Sequence, residues 1–366
     1  MMNENDEDTS PKNPLGWNVC PFCGAQLPKL ADLKFCTLCG IDLEYLKTHK
    51  KFPPNFLERT DISRSQVFDQ QSVLWKGIIQ ISDDEILETQ DKKLWSVIAS
   101  IGLTIAAVLI MNFIAVVLVI PFIFFAPSIE ALMNTLSSPY FIIITSFAEI
   151  ILVIVPIIYV KKYLKNPTIK NRFALLGFTT KGINSRRVVK EILIGIGFAV
   201  IGIIVVLVVS FFVQAIIEFF FGFAIIRDVS SSDGNVDVII LASDIPGLIL
   251  LMLTMILVVG TSEEILFRGF MQKGLVRRIG KQWGLLVTAL IFTFFHLIGS
   301  FLIYDIFSLS FLVSLLLAFF PYLAISSLLG FVYMWRKENL IAVIIMHGFY
   351  DALTVLMVFL SYNLGF

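Results

Sequence analysis

Three groups of residues carry the types and spacings of a chemical site. Glu263 and Glu264 are adjacent and Arg268 follows. On a helix, Glu264 and Arg268 are four apart and share a face, so they can pair. Glu263 is rotated away and left free for other work. An Arg-neutralised carboxylate beside a free one suits a site in which one acid orients the other. Downstream lie Phe292 and His296, then His347 and Asp351, the last two again four apart on one helical face. These are residue types for general acid–base work. Glu263, His296 and His347 would also make a two-His, one-carboxylate zinc set with an open position, although the H-E-x-x-H pattern is absent. The bland alternatives are a charge cluster at a helix end and histidines satisfied by packing.

The elements that must position these groups are apolar. Of 366 residues, 57% are hydrophobic and 15% charged; soluble chains carry about 25% charged residues. Segments at about 94–124, 139–160, 190–215, 246–272, 284–300, 310–335 and 340–363 approach or exceed the ~20 residues that span hydrocarbon, the fifth being short. Pro121 is placed to end or kink the overlong first segment. The fold class expected is an all-α polytopic membrane bundle of about seven helices. Ionisable residues inside such a bundle are rare and are functional candidates by default. Glu149 in the second segment is a further one, set either to line the same site or to bond Thr145 or Ser146 locally.

Orientation follows from basic residues in the short loops. Nine Lys or Arg residues lie between Lys161 and Lys190 without one acid, and Lys273, Arg277, Arg278 and Lys281, then Arg336 and Lys337, mark the next two loops of that side. The alternate loops carry Glu130, then Asp228, Asp233 and Asp237, then Asp305, with Arg227 the one basic residue. The amino terminus is therefore expected in the cytosol and the carboxyl terminus outside. No secretory signal is visible.

The chain's four cysteines all precede the membrane part. Cys20 and Cys23, then Cys36 and Cys39, form two C-x-x-C-G knuckles, the four-sulfur set of a structural zinc ribbon. The domain reading is 1–16 a disordered lead, 17–43 the ribbon, 44–93 a juxtamembrane linker with a short helix, and 94–366 the membrane domain. A cytosolic ribbon suits reduced thiols holding metal.

Depth offers a check on the membrane site. Glu263 lies about 15 Å above Lys273, His296 about 22 Å past Lys281, and His347 about 13 Å past Glu338, at 1.5 Å per residue. All three can then meet in one bundle. Glu-Glu-x-x-x-Arg, Phe-x-x-x-His and His-x-x-x-Asp, in that order on separate apolar segments, resemble the CAAX-protease and bacteriocin-processing (CPBP) family, over about Lys190 to Tyr362 with core motifs within 246–363. Asn or Asp occupies the last position in that family, so Asp351 is within pattern. The resemblance does not cover the ribbon or linker.

The resemblance implies an intramembrane endopeptidase that cleaves a membrane-associated protein or peptide, in a family labelled metalloprotease. It implies Glu263 as general base and Glu264 paired with Arg268. His296 would hold the water or a metal. His347 and Asp351 would form an oxyanion-stabilising pair, with Asp351 orienting the imidazole. Whether a catalytic zinc takes part is left open, with a metal-free glutamate mechanism preferred. The partners expected are the substrate, the bilayer and a protein bound by the ribbon, and no nucleic acid. The rivals are a proton-coupled transporter and a non-proteolytic membrane scaffold.

Overall fold

The computed structural model describes residues 20, 27, 35–36, 41–49, 94–136, 138–180, 185–232 and 243–364. The chain falls into two units, Met1–Gly77 and Ile78–Phe366. In the first, Phe35 pairs antiparallel with Asp42 and the Cys36 amide donates to the Ile41 carbonyl at 2.9 Å. Cys20 and Cys36 are buried. Asp42 accepts from the Tyr45 amide at 2.8 Å and so caps a helix, Leu43–His49, at the start of the expected linker. The lead, Cys23, Cys39 and the rest of the ribbon and linker lie outside the described residues.

Among the described residues the second unit is helical, and seven of the helices are long and apolar enough to cross a membrane: Val97–Phe125, Pro139–Tyr163, Ser185–Phe221, Ile245–Ile279, Lys281–Phe301, Leu309–Trp335 and Ile341–Ser361. They are called here spans one to seven. A bilayer core offers no water to unpaired backbone groups, which forces the helical solution. Ser96, Ser138, Asp244 and Ser308 start spans one, two, four and six by accepting an amide of the first turn.

Several bounds differ from the sequence reading. Pro121 lies inside the first span, which runs four residues beyond it to Phe125. The third span is 37 residues, about 55 Å at 1.5 Å per residue, and overshoots a hydrocarbon core of ~30 Å. The basic stretch after span two contains a helix, Ile169–Leu176, whose Ala174, Leu175 and Leu176 are buried, so that loop is partly core.

Span four is the axis of the bundle. Every residue from Ile265 to Gln272 is buried. Span four is not a uniform α-helix. Two wide π-helical stretches, Met255–Val259 and Ile265–Gln272, flank a short α-helical piece, Gly260–Glu264. Such widened turns inside α-helices recur at functional sites because they re-aim side chains. Small residues bring the neighbours close. A Cβ on Gly260 would lie 2.7 Å from the Gly348 amide nitrogen, and one on Gly348 would lie 2.5 Å from the Ile256 Cα. Spans four and seven therefore touch backbone to backbone, the small-residue contact that membrane helices favour.

Polar contacts tie the ends together. Trp95 stacks on Phe270 and donates from Nε1 to its carbonyl at 3.0 Å, while Arg278 Nε donates to the Trp95 carbonyl at 3.1 Å. Glu191 of span three pairs with Arg336, with Nε at 2.9 Å. Glu338, in the turn between spans six and seven, takes Lys273 at 3.3 Å and Arg277 at 3.0 Å. At the opposite end of span four, the Tyr140 hydroxyl donates to Asp244 at 3.0 Å.

Candidate active site

Glu264 lies at the centre of the polar contacts. Its Oε1 accepts from Arg268 Nη1 at 2.7 Å and lies 2.7 Å from His347 Nδ1, and its side chain is fully buried. Arg268 is equally buried. Its second arm donates to the Ser326 hydroxyl at 2.9 Å and the Ser326 carbonyl at 3.2 Å, on span six. One turn on, Gln272 repeats the link by donating to the Gly330 carbonyl at 3.0 Å. The i,i+4 pair expected from sequence is thus present, and it is anchored to a third helix. A buried charge pair is tolerable only when its hydrogen bonds are well met; both terminal nitrogens of Arg268 are bonded, while Arg268 Nε and Glu264 Oε2 have no partner.

Glu263 stands apart from that pair. Its side chain is 15% exposed, and its Oε2 has no hydrogen-bond partner. His347 Nε2 lies 3.8 Å from that oxygen, and Asp351 Oδ2 lies 3.4 Å from the same nitrogen. The imidazole is thus held from both sides. Its Nδ1 faces Glu264, and its Nε2 faces Glu263 and Asp351. A carboxylate only accepts, so Nδ1 carries a proton towards Glu264. As an imidazolium the ring also donates from Nε2; as a neutral ring it offers a lone pair there. The closer carboxylate on the ring is therefore Glu264, where the sequence reading had given the orienting role to Asp351.

His296 occupies a neighbouring place. Its Nδ1 is 2.9 Å from the Phe292 carbonyl, which fixes the proton on Nδ1 and presents Nε2 as an acceptor when the ring is neutral. The ring stacks on Phe292 at 4.3 Å and meets Tyr322 at 4.7 Å. Phe292 joins the two histidines, since it also meets His347 edge-on at 5.9 Å and carries the Arg268 guanidinium over its face at 4.6 Å. In the sequence Phe292 is only a letter of a motif; its position between both histidines and the arginine is long-range information. Ser326 gives no sequence signal at all.

Among the described residues, no three His, Cys, Asp or Glu side chains are placed to hold one metal ion. Glu263 and His347 approach one another, while His296 turns one nitrogen to backbone and packs between two rings. The suggested Glu263, His296, His347 set is not gathered as a ligand shell.

No curated protein and no solved structure matches the chain. Residues 245–353, less than half of the chain, match the family model described as Rce1-like, type II CAAX prenyl endopeptidase Rce1-like, and the match takes in Glu263, Glu264, Arg268, His296, His347 and Asp351.

Proposed function

We propose that this chain is a CAAX-protease-like intramembrane endopeptidase in which Glu263 activates water. The family match over 245–353 supports protease activity on a membrane-associated substrate. The observation that carries the residue roles is the run Arg268–Glu264–His347 ending at Glu263 and Asp351. Each glutamate keeps an Oε2 without a partner, but Glu264 is fully buried and tied through Oε1 to Arg268 and His347, while Glu263 is partly exposed and makes no such pair.

Glu263 takes one proton as the water oxygen bonds to the substrate carbonyl carbon. The carbonyl oxygen becomes an oxyanion, and the imidazolium form of His347 donates to it from Nε2, with Asp351 steadying that nitrogen. Donors fixed in place at the developing charge supply much of such catalysis. As the C–N bond breaks, the proton on Glu263 passes to the departing amine. His296, with Nδ1 fixed on backbone, accepts a hydrogen bond from the substrate amide through Nε2.

The basic loops support an orientation with the amino-terminal side in the cytosol. The C-x-x-C-G pairs support a structural zinc on Cys20, Cys23, Cys36 and Cys39 that presents the ribbon to a protein partner.

Two assays test the proposal together. Membrane proteomes from cells carrying wild type or Glu263→Gln are compared for peptides that accumulate or vanish, and a farnesylated peptide ending in a CAAX sequence is offered to the purified proteins. A general base contributes roughly 10²–10⁴-fold, so Glu263→Gln should leave almost no product while inserting and folding normally. Equal cleavage by both proteins would exclude Glu263 as the base.

A further inference from the structure

We infer that Glu149 is a further residue of this site, standing opposite Glu263 and, with it, holding the water that attacks the substrate carbonyl. The inference rests on the proteolytic reading above.

The local explanation for Glu149 is ruled out by geometry. Thr145 donates its hydroxyl to the Phe141 and Ile142 carbonyls at 3.0 and 3.1 Å, and Ser146 donates to Ile142 at 2.8 Å. Neither proton is left for the carboxyl. Its Oε2 is buried without a hydrogen-bond partner, and none of the ion pairs among the described residues includes it.

The backbone places Glu149 deliberately. Span two is interrupted by a 3₁₀ turn, Phe147–Glu149. That turn packs against the π-helical stretch Met255–Val259, and the helix after it packs against Gly260–Glu264. The irregular turn that carries Glu149 thus faces the π-helical stretch just before the α-helical piece that carries Glu263. Mid-helix 3₁₀ turns often mark a functional hinge or a strained stretch, and π-helical turns recur at functional sites. The charges of Glu263, His347 and Asp351 lie close enough to act on Glu149.

Glu149, Glu263 and Glu264 each keep an Oε2 that is buried and has no partner, and of the three only Glu264 has its other oxygen taken, by Arg268 and His347. A water molecule has two O–H groups, and one each to Glu149 and Glu263 fixes both. Its lone pair is then turned towards the carbonyl carbon. When that oxygen bonds to carbon, one proton passes to Glu263 and the other O–H keeps its bond to Glu149. Leaving a carboxyl unpartnered beside other carboxyls costs stability, a cost of the kind that function retains.

The full-length protein in detergent is the test material, with the farnesylated CAAX peptide as probe. Glu149→Leu, which removes the acceptor, should lower kcat by roughly 10²-fold, the low end for groups that serve the reacting water, leave KM unchanged, and raise the melting temperature. Glu149→Asp should restore part of kcat. An unchanged kcat, or a fall in melting temperature, would overturn the inference. A second reading needs no cleavage. If the two carboxyls oppose one another, the melting shifts of Glu149→Gln and Glu263→Gln will not add in the double variant. Additive shifts with an active wild type would remove Glu149 from the site and leave the proteolytic reading standing. A wild type that cleaves no probe, with coupled shifts, would overturn the proteolytic reading and keep Glu149 opposite Glu263.

Discussion

Glu263 and Glu264 are neighbours in the chain with opposite surroundings. Glu264 is fully buried between Arg268 and His347, while Glu263 is partly exposed and lies on the far side of that imidazole. Substitutions should therefore separate them. Glu264→Gln or Arg268→Ala strands a buried partner, which costs roughly 3–5 kcal/mol, so the melting temperature should fall sharply and activity with it. Glu263→Gln should leave melting unchanged or higher. Equal melting losses at 263 and 264 would contradict this division. Phe292 is the third test at this scale. Phe292→Leu keeps apolar bulk but removes the face under Arg268 and the stack on His296, so activity should drop more than stability does.

At the scale of elements, the site depends on spans four and seven touching. Gly348 has no room for a methyl group, since its Cβ would lie 2.5 Å from the Ile256 Cα and 3.0 Å from the Ile256 carbonyl oxygen. Gly348→Ala must push the spans apart, and overpacking costs about 1–3 kcal/mol. The 2.7 Å contact between His347 and Glu264 is one residue away, so activity should fall further than melting alone explains. Retained activity would show that the spans can separate without disturbing the site. The turn between spans six and seven gives a pH test. Lys337 and Glu338 there adopt left-handed backbone conformations. Burial pushes the Glu338 carboxyl up, but Arg277 and Lys273 outweigh it and hold its pKa at about 2, below the ordinary 4.5. A depressed folded-state pKa adds stability that is present above the unfolded value and lost as pH falls through the folded one. Melting temperature should thus decline below about pH 4.5 towards pH 2, and Glu338→Gln should flatten that decline while melting lower at neutral pH. Identical profiles would mean the pairs contribute nothing.

The same elements show what a sequence can reveal. Seven apolar segments, the Glu264–Arg268 spacing and the His347–Asp351 spacing were legible because each follows from helical periodicity over one stretch. The π-helical stretches were not, because the hydrogen-bond shift depends on neighbours such as Gly348 rather than on local letters. The His347–Glu264 contact joins residues 83 apart, and Glu149 gained a direction only when span two was set beside span four. Helix Ile169–Leu176 was hidden for another reason. Its Lys170 and Arg172 read as a basic loop, yet its apolar end is core.

For the whole molecule, the open quantities are its orientation and its metal content. Cysteines placed at Asn166 or Lys281 should be shielded from an impermeant thiol reagent in intact cells, and one at Ser231 should react; the reverse pattern would invert the orientation drawn from the basic loops. Metal content decides whether the two units use zinc differently. Four Cys at C-x-x-C-G spacing bind zinc as thiolates with no open position, whereas Glu263, His296 and His347 are not gathered around a shared point. The purified full chain should hold about one zinc. Cys20→Ser with Cys36→Ser should lose it, and binding energy of a structural zinc is folding energy, so the amino-terminal unit alone should lose its melting transition. Chelation should likewise strip that zinc while cleavage of the probe peptide continues. A second zinc that survives the cysteine substitutions and leaves together with activity would assign metal to the membrane site and displace the metal-free mechanism.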